Sequence, residues 1–130
     1  MSVEMFSLGM SSLLLLVLLL VAVLLHAQQV GLKALMGNRE GLAEPSGMAG
    51  RARRAHLNLL ENLVPFAVAV LMAHSLGITS PMTVAGAWLF LLGRLAHAFC
   101  YVAGIPVLRT LSFFVAFVGI FLVLLPVLLH

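Results

Sequence analysis

Charged side chains are scarce in this sequence. Lys, Arg, Asp and Glu make up 8% of its 130 residues, whereas they make up about 25% of a typical soluble protein. Hydrophobic residues make up 63%, and this proportion excludes an ordinary soluble domain. The composition therefore predicts an integral membrane protein that has almost no part outside the bilayer.

Cysteine is nearly absent as well. Cys100 is the one cysteine, which excludes an intrachain disulfide framework and a cysteine-based metal cluster. The five histidines have neither the HxxxH nor the HExxH spacing of metal-binding helices, so we predict no metal site. No basic patch interleaved with aromatic residues is present, so we also predict no nucleic-acid partner.

Four apolar segments are long enough to span a bilayer as helices. We predict an all-α, four-transmembrane-helix bundle that forms a single domain over residues 1–130, because no repeat or low-complexity linker divides the chain. The predicted helices cover residues near 6–29, 52–75 and 81–103, followed by a fourth that starts with Arg109 and Thr110 and runs to His130. A cleaved signal peptide is the alternative for the first segment. It is disfavoured because a signal peptide has a basic start, whereas the residues before this apolar run include Glu4 and no Lys or Arg.

The segment 31–52 is the long polar stretch of the chain, and its glycines and Pro45 indicate a loop. Together with the adjoining turn it contains five of the seven basic residues. By the positive-inside rule this loop is cytoplasmic and both termini are outside. At the next turn, Ser80 is a plausible N-cap and Pro81 occupies the first helical position.

Polar side chains interrupt the second predicted helix on one face. Arg54, Asn58, Glu61 and Pro65 follow each other at i, i+4, i+7 and i+11. A charge at the centre of a bilayer costs about 2.5–3.5 kcal/mol on insertion scales. This face should therefore contact protein, water or a ligand rather than lipid.

The third predicted helix has a second polar face, on which Arg94, His97 and Tyr101 lie at i, i+3 and i+7. Four spans bring this face and the start of the fourth helix to the same side of the membrane as the first face. The converging groups are Arg51, Arg54, Asn58, Glu61, Arg94, His97, Tyr101 and Arg109. Several cations around one carboxylate suit a small, multiply anionic ligand that also carries an ammonium group. The structural alternative is an ion-pair network in which Glu61 pairs with Arg54 or Arg94.

These residues carry a resemblance to a known family. The motifs are Arg54-Ala-His-Leu-Asn58-Leu-Leu-Glu61 followed by Pro65-Phe66, then Gly93-Arg94-Leu-Ala-His97-Ala-Phe-Cys-Tyr101 and Pro106-Val-Leu-Arg109. The chain resembles the MAPEG family, the membrane-associated proteins in eicosanoid and glutathione metabolism. The resemblance implies a homotrimer of four-helix bundles that binds glutathione at its subunit interfaces.

The resemblance also implies roles for individual residues. Six positions match motif residues that contact glutathione: Arg54, Asn58, Glu61, Arg94, His97 and Tyr101. Arg109 matches the arginine that stabilises the glutathione thiolate, and Thr110 stands where the prostaglandin E synthase branch has a hydroxyl residue. Arg51 joins the predicted glutathione site as a further converging cation.

Two positions depart from the prostaglandin E synthase branch. Leu57 and Gly31 stand where that branch has basic residues, which argues against prostaglandin synthesis. The compact loops favour a bacterial inner-membrane protein.

The expected function is that of a microsomal-type glutathione transferase or peroxidase, with or without isomerase activity. It would act on lipophilic electrophiles that enter from the surrounding membrane lipids. The alternatives are a non-catalytic lipid-binding scaffold of the same family and a small transporter, and the transporter is disfavoured because no inverted repeat is apparent.

Overall fold

A computed structural model describes all 130 residues. All regular secondary structure in the chain is helical, and its elements in order are α1 (Val3–Val30), α2 (Leu32–Met36), α3 (Gly47–Ser75), α4 (Pro81–Ala103) and α5 (Pro106–Leu128). All but α2 are long and apolar enough to cross a membrane. The predicted all-α architecture with four membrane-spanning helices is therefore confirmed.

The boundaries differ from the prediction at two places. The predicted loop 31–52 contains the short helix α2, and α3 begins at Gly47, five residues before the predicted start at Ala52. The early start is packed against the preceding chain, since a Cβ atom on Gly50 would lie 2.8 Å from the carbonyl oxygen of Pro45. The last helix begins at Pro106, three residues before Arg109, because proline is well suited to the first turn of a helix.

The turn between α3 and α4 was predicted correctly. The hydroxyl of Ser80 accepts a hydrogen bond from the backbone N–H of Thr83 at 3.2 Å, and the Thr83 hydroxyl accepts one from the N–H of Ser80 at 2.9 Å. Pro81 occupies the first turn. This reciprocal capping satisfies two N–H groups that would otherwise lack partners at the helix end.

Small residues bring α4 and α5 into close contact. A Cβ atom on Gly119 would lie 2.6 Å from the backbone nitrogen of Phe90, and one on Gly93 would lie 2.8 Å from that of Ala116. Membrane helices associate closely through such residues because the hydrophobic effect does not drive them together in lipid. Helix α1 packs on α3 and α4 and does not contact α5.

The centre of the bundle is built around two stacked aromatic rings. Phe66 and Phe90 are fully buried, and their ring centroids are 3.8 Å apart. Pro65, beside Phe66 in α3, has no N–H to donate to the carbonyl of Glu61 four residues earlier. By contrast, Leu16, Leu20 and Leu24 on the outer face of α1 are 57–61% exposed, as expected for side chains that contact lipid.

Candidate functional site

The centre of the candidate site is a buried arginine between α3 and α4. Arg94 is 1% exposed, and its Nη2 donates a hydrogen bond to Oδ1 of Asn58 at 2.6 Å. The other two guanidinium nitrogens, Nε and Nη1, are buried and have no hydrogen-bond partner. Buried polar groups in native proteins are nearly always paired, so these donors have room for a partner from outside the single chain.

No carboxylate neutralises Arg94. The only salt bridge in the structure joins Arg53 to Glu44, both in exposed positions. The ion-pair network that the sequence left open, in which Glu61 pairs with Arg54 or Arg94, is not formed in the single chain. A buried guanidinium with a neutral carboxamide as its one partner leaves an excess of positive charge inside the bundle.

Aromatic rings connect this arginine to the end of the bundle where α5 begins. His97 is buried, and its ring meets the ring of Tyr101 edge-on at a centroid distance of 5.4 Å. The guanidinium carbon of Arg109 lies 4.7 Å from the centroid of the Tyr101 ring, which is a cation–π contact. The guanidinium carbon of Arg94 lies 6.0 Å from the Phe113 ring centroid. The predicted polar face of α4 and the predicted activating arginine of α5 therefore lie side by side.

An open cavity of about 340 Å³ adjoins Arg109 at the start of α5. It is lined by Pro106, Val107, Arg109, Thr110 and Leu111. No side chain caps this helix, so its first N–H groups add a partial positive charge that attracts anions. The Thr110 hydroxyl donates to the carbonyl oxygen of Pro106 at 3.1 Å, which uses its one proton and leaves the oxygen able only to accept a further hydrogen bond.

Of the remaining predicted site residues, Arg51 contacts the end of α4 beside the cluster, whereas Arg54 and Glu61 lie on the outer surface of α3. Arg51 uses its Nε to donate to the carbonyl oxygen of Val102 at 3.0 Å, so it joins α3 to the end of α4. Arg54 and Glu61 are exposed on the outer surface of α3 and form no salt bridge. The single chain therefore gathers Asn58, Arg94, His97, Tyr101 and Arg109, but not the outward pair Arg54 and Glu61.

Sequence reasoning missed a second polar cluster, which lies at the N-terminal ends of α1 and α4. Glu4 is 3% exposed, and its Oε1 accepts a hydrogen bond from the Thr83 hydroxyl at 2.6 Å. Its Oε2 and the hydroxyls of Ser7 and Ser11 are buried without partners. The spacing of Glu4, Ser7 and Ser11 at i, i+3 and i+7 was the available signal, because it places all three on one face of α1.

The fold and site together define a class of protein: a small, all-helical, multi-pass membrane protein that encloses a polar, cationic site between its spanning helices. Comparison with protein families matches the MAPEG family over residues 7–129. The chain belongs to the MAPEG family. No curated protein and no solved structure gives a significant match. Because the family includes glutathione transferases and related enzymes, membership supports a glutathione-related role in the membrane at the level of the family.

Proposed function

We propose that the protein is a glutathione-dependent transferase or peroxidase that acts on lipophilic electrophiles. The observation that carries this proposal is Arg94, a buried guanidinium that has two unpaired donor nitrogens and no carboxylate partner. Carboxylate oxygens of glutathione would provide the missing acceptors, because charge-assisted hydrogen bonds between a guanidinium and a carboxylate are among the strongest in proteins.

Of the other residues of the site, some bind the negatively charged groups of the ligand and one binds its positively charged group. Arg51, Arg54 and His97 surround the anionic groups in this proposal, and Asn58 keeps Arg94 oriented through its 2.6 Å hydrogen bond. Glu61 is the one carboxylate on this face of α3, so it accepts the ammonium group of glutathione. These contacts are the same before and during the reaction, so they contribute to affinity rather than to the chemical step.

Arg109 activates the sulfur in this proposal. Its guanidinium stacks on Tyr101, and it projects from the first turn of α5, where the uncapped N–H groups also favour an anion. Lowering a thiol pKa from about 8.5 by two units requires about 2.7 kcal/mol of preferential thiolate stabilisation. The thiol proton passes to water, and the thiolate attacks the electrophilic carbon. The new C–S bond forms as the leaving group departs with its bonding electron pair.

A second copy of the chain completes the site in this proposal. Glu61 is the middle residue of the 29-residue helix α3 and is exposed in the single chain. A carboxylate that faced lipid at this depth would cost about 2.5 kcal/mol or more, and contact with a second subunit would remove this cost. We propose the homotrimer that the family resemblance implies. A monodisperse monomer in mild detergent that still binds glutathione would contradict it.

The deciding experiment uses the purified full-length protein in detergent. We expect enzymatic conjugation of glutathione to a chromogenic aryl halide, together with glutathione binding measured by calorimetry. Binding without turnover of an aryl halide or a lipid hydroperoxide would favour the non-catalytic lipid-binding alternative. Absence of glutathione binding would refute the proposed function.

A further inference from the structure

A second cavity lies on the other side of α3 from the candidate site. It has a volume of about 330 Å³ and is enclosed by α1, the outer side of α3 and residues 39–46, which we call the 39–46 loop. Its lining includes none of Asn58, Arg94, His97, Tyr101 or Arg109. The cavity therefore belongs neither to the proposed glutathione site nor to the space around Arg109.

One half of this cavity is apolar. Its lining includes Leu19 and Val23 of α1, Leu57 of α3 and Leu35 of α2. Leu19 and Val23 remain 37–41% exposed, so the cavity opens on the side that the apolar surface of α1 presents to the bilayer. A hydrocarbon chain could enter from lipid without crossing water.

The other half carries cationic and imidazole groups. Arg39, Arg53, His26 and His56 line it, with Glu44 as the only acid. Glu44 is already paired with Arg53. The guanidinium of Arg39 has no carboxylate within salt-bridge distance, so the cavity keeps one positive charge uncompensated.

Arg39 is held in place at a cost in backbone energy. Its φ angle is +64°, a left-handed conformation that non-glycine residues seldom adopt. Its Nε donates a hydrogen bond to the carbonyl oxygen of Leu35 at 2.8 Å, which fixes the guanidinium while both terminal nitrogens keep their donors. Backbone strain of this kind tends to occur at ligand-binding positions.

The 39–46 loop that covers the cavity is fastened to α1. The side chain of Gln29 donates to the carbonyl oxygen of Ser46 at 2.9 Å and accepts from its N–H at 3.1 Å. The ring of His26 is hydrogen-bonded to the carbonyl oxygen of Ala43, also at 2.9 Å. The cavity is therefore preformed, and a ligand would not have to order the loop.

We propose that this cavity binds a lipid that has one acyl chain in the apolar half and an anionic head group on Arg39. Its volume lies at the lower end of the range of small-molecule pockets, about 300–1,000 Å³, so it suits one chain and not a whole two-chain lipid. The head group is a carboxylate or a phosphate. A free fatty acid and a single-chain lysophospholipid both present this chemistry.

The experiment uses two photoreactive probes on the full-length protein in nanodiscs of neutral lipid: a long-chain fatty acid and a lysophosphatidic acid, each with a diazirine in the chain. We expect at least one of them to label peptides from residues 19–57, and the stronger of the two identifies the head group. The uncharged methyl ester of the fatty acid should label at least tenfold less. Failure of both anionic probes to label these peptides, or equal labelling by the ester, would overturn the proposal.

Variants at one charged position test the head-group contact. Arg39→Asn removes the charge but keeps a residue that tolerates the left-handed conformation, and it should weaken binding of the probe about tenfold or more, as loss of a hydrogen bond to a charged group does. Arg39→Lys keeps the positive charge and should retain most of the binding of the probe.

Lys33→Asn is the matched control, because it removes the same charge from α2 outside the cavity lining. It should leave binding of the probe within twofold of the unmodified protein. Equal binding by the Arg39→Asn and Lys33→Asn proteins, both with unchanged melting temperature, would refute the proposed role of Arg39. Glutathione binding should be unchanged in all three variants, which separates this test from that of the proposed function.

Discussion

Arg94 and Asn58 join the two helices that carry the candidate site, through a hydrogen bond of 2.6 Å from a guanidinium that is 1% exposed. The two partners differ in charge. Asn58 is neutral and is partly exposed, so it orients the guanidinium but cannot balance its charge. The helix contact therefore leaves a cationic site prepared for an anion.

Substitution of Asn58 should destabilise the protein more than substitution of Arg94. Asn58→Leu leaves the buried guanidinium without an acceptor and should lower the free energy of unfolding by about 1–3 kcal/mol. Arg94→Met removes the buried charge itself, and replacement of a buried charge by an apolar side chain is often neutral or stabilising. Thermal unfolding in detergent measures both. A lower melting temperature for Arg94→Met than for Asn58→Leu would contradict this account.

Substitutions of Arg109 and Glu61 should change different steady-state parameters. Arg109→Ala should mainly reduce kcat, by about 10²-fold if its effect on the thiolate is worth about 2.7 kcal/mol. It should also abolish the ultraviolet absorbance of thiolate when glutathione binds at neutral pH. Glu61→Gln should mainly raise KM for glutathione, because its contact is the same in the ground and transition states. If Arg109→Ala keeps both the thiolate signal and turnover, the activating residue is Arg94 or Tyr101.

A methyl group added at Gly119 should weaken the contact between α4 and α5. A Cβ atom there would lie 2.6 Å from backbone atoms of both Gly86 and Phe90, and backbone cannot move aside as a flexible side chain can. We expect Gly119→Ala to cost about 1–3 kcal/mol of stability. Gly9→Ala in α1 is the control, since no atom lies within 4 Å of its Cβ position, and it should be neutral or stabilising by about 0.5–1 kcal/mol. Equal melting temperatures for the two variants would contradict the close-packing argument.

The Thr83 hydroxyl should hold the beginnings of α1 and α4 together. It bonds to the carboxylate of Glu4 at 2.6 Å and caps the N–H of Ser80 at 2.9 Å. Thr83→Val has nearly the same shape and loses both contacts, so it should lower stability by about 1–2 kcal/mol. Thr83→Ser keeps the hydroxyl and should remain near the unmodified protein in thermal unfolding. A Thr83→Val protein as stable as Thr83→Ser would show that these contacts contribute nothing.

The membrane orientation is testable with reporter fusions. The concentration of basic residues between Arg39 and Arg54 predicts that this region is cytoplasmic and that both termini are outside. A reporter fused after His130 should therefore be active outside the membrane, and one inserted in the 39–46 loop should be active in the cytoplasm. The reverse pattern would place the proposed glutathione site on the other side of the membrane.

The number, type and approximate position of the spanning helices followed from the sequence alone. Long apolar segments separated by polar turns have one stable solution in a bilayer, because every backbone polar group must be satisfied within its own helix. Helical periodicity placed Arg94, His97 and Tyr101 on one face, since side chains seven residues apart return to the same side of a helix. Ser80 and Pro81 marked the start of α4 because capping is a local interaction.

Tertiary structure alone decided which polar groups meet. The sequence left open a pair between Glu61 and Arg94 as the alternative to ligand binding, but Asn58 holds the guanidinium, and Glu61 faces outward. The pairing depends on how α3 is rotated against α4. That rotation is set by contacts between helices, such as the stacked rings of Phe66 and Phe90. For the same reason the sequence did not reveal that Glu4 is buried against Thr83, 79 residues away along the chain. Helical periodicity fixes which residues share a face, and only packing fixes what that face contacts.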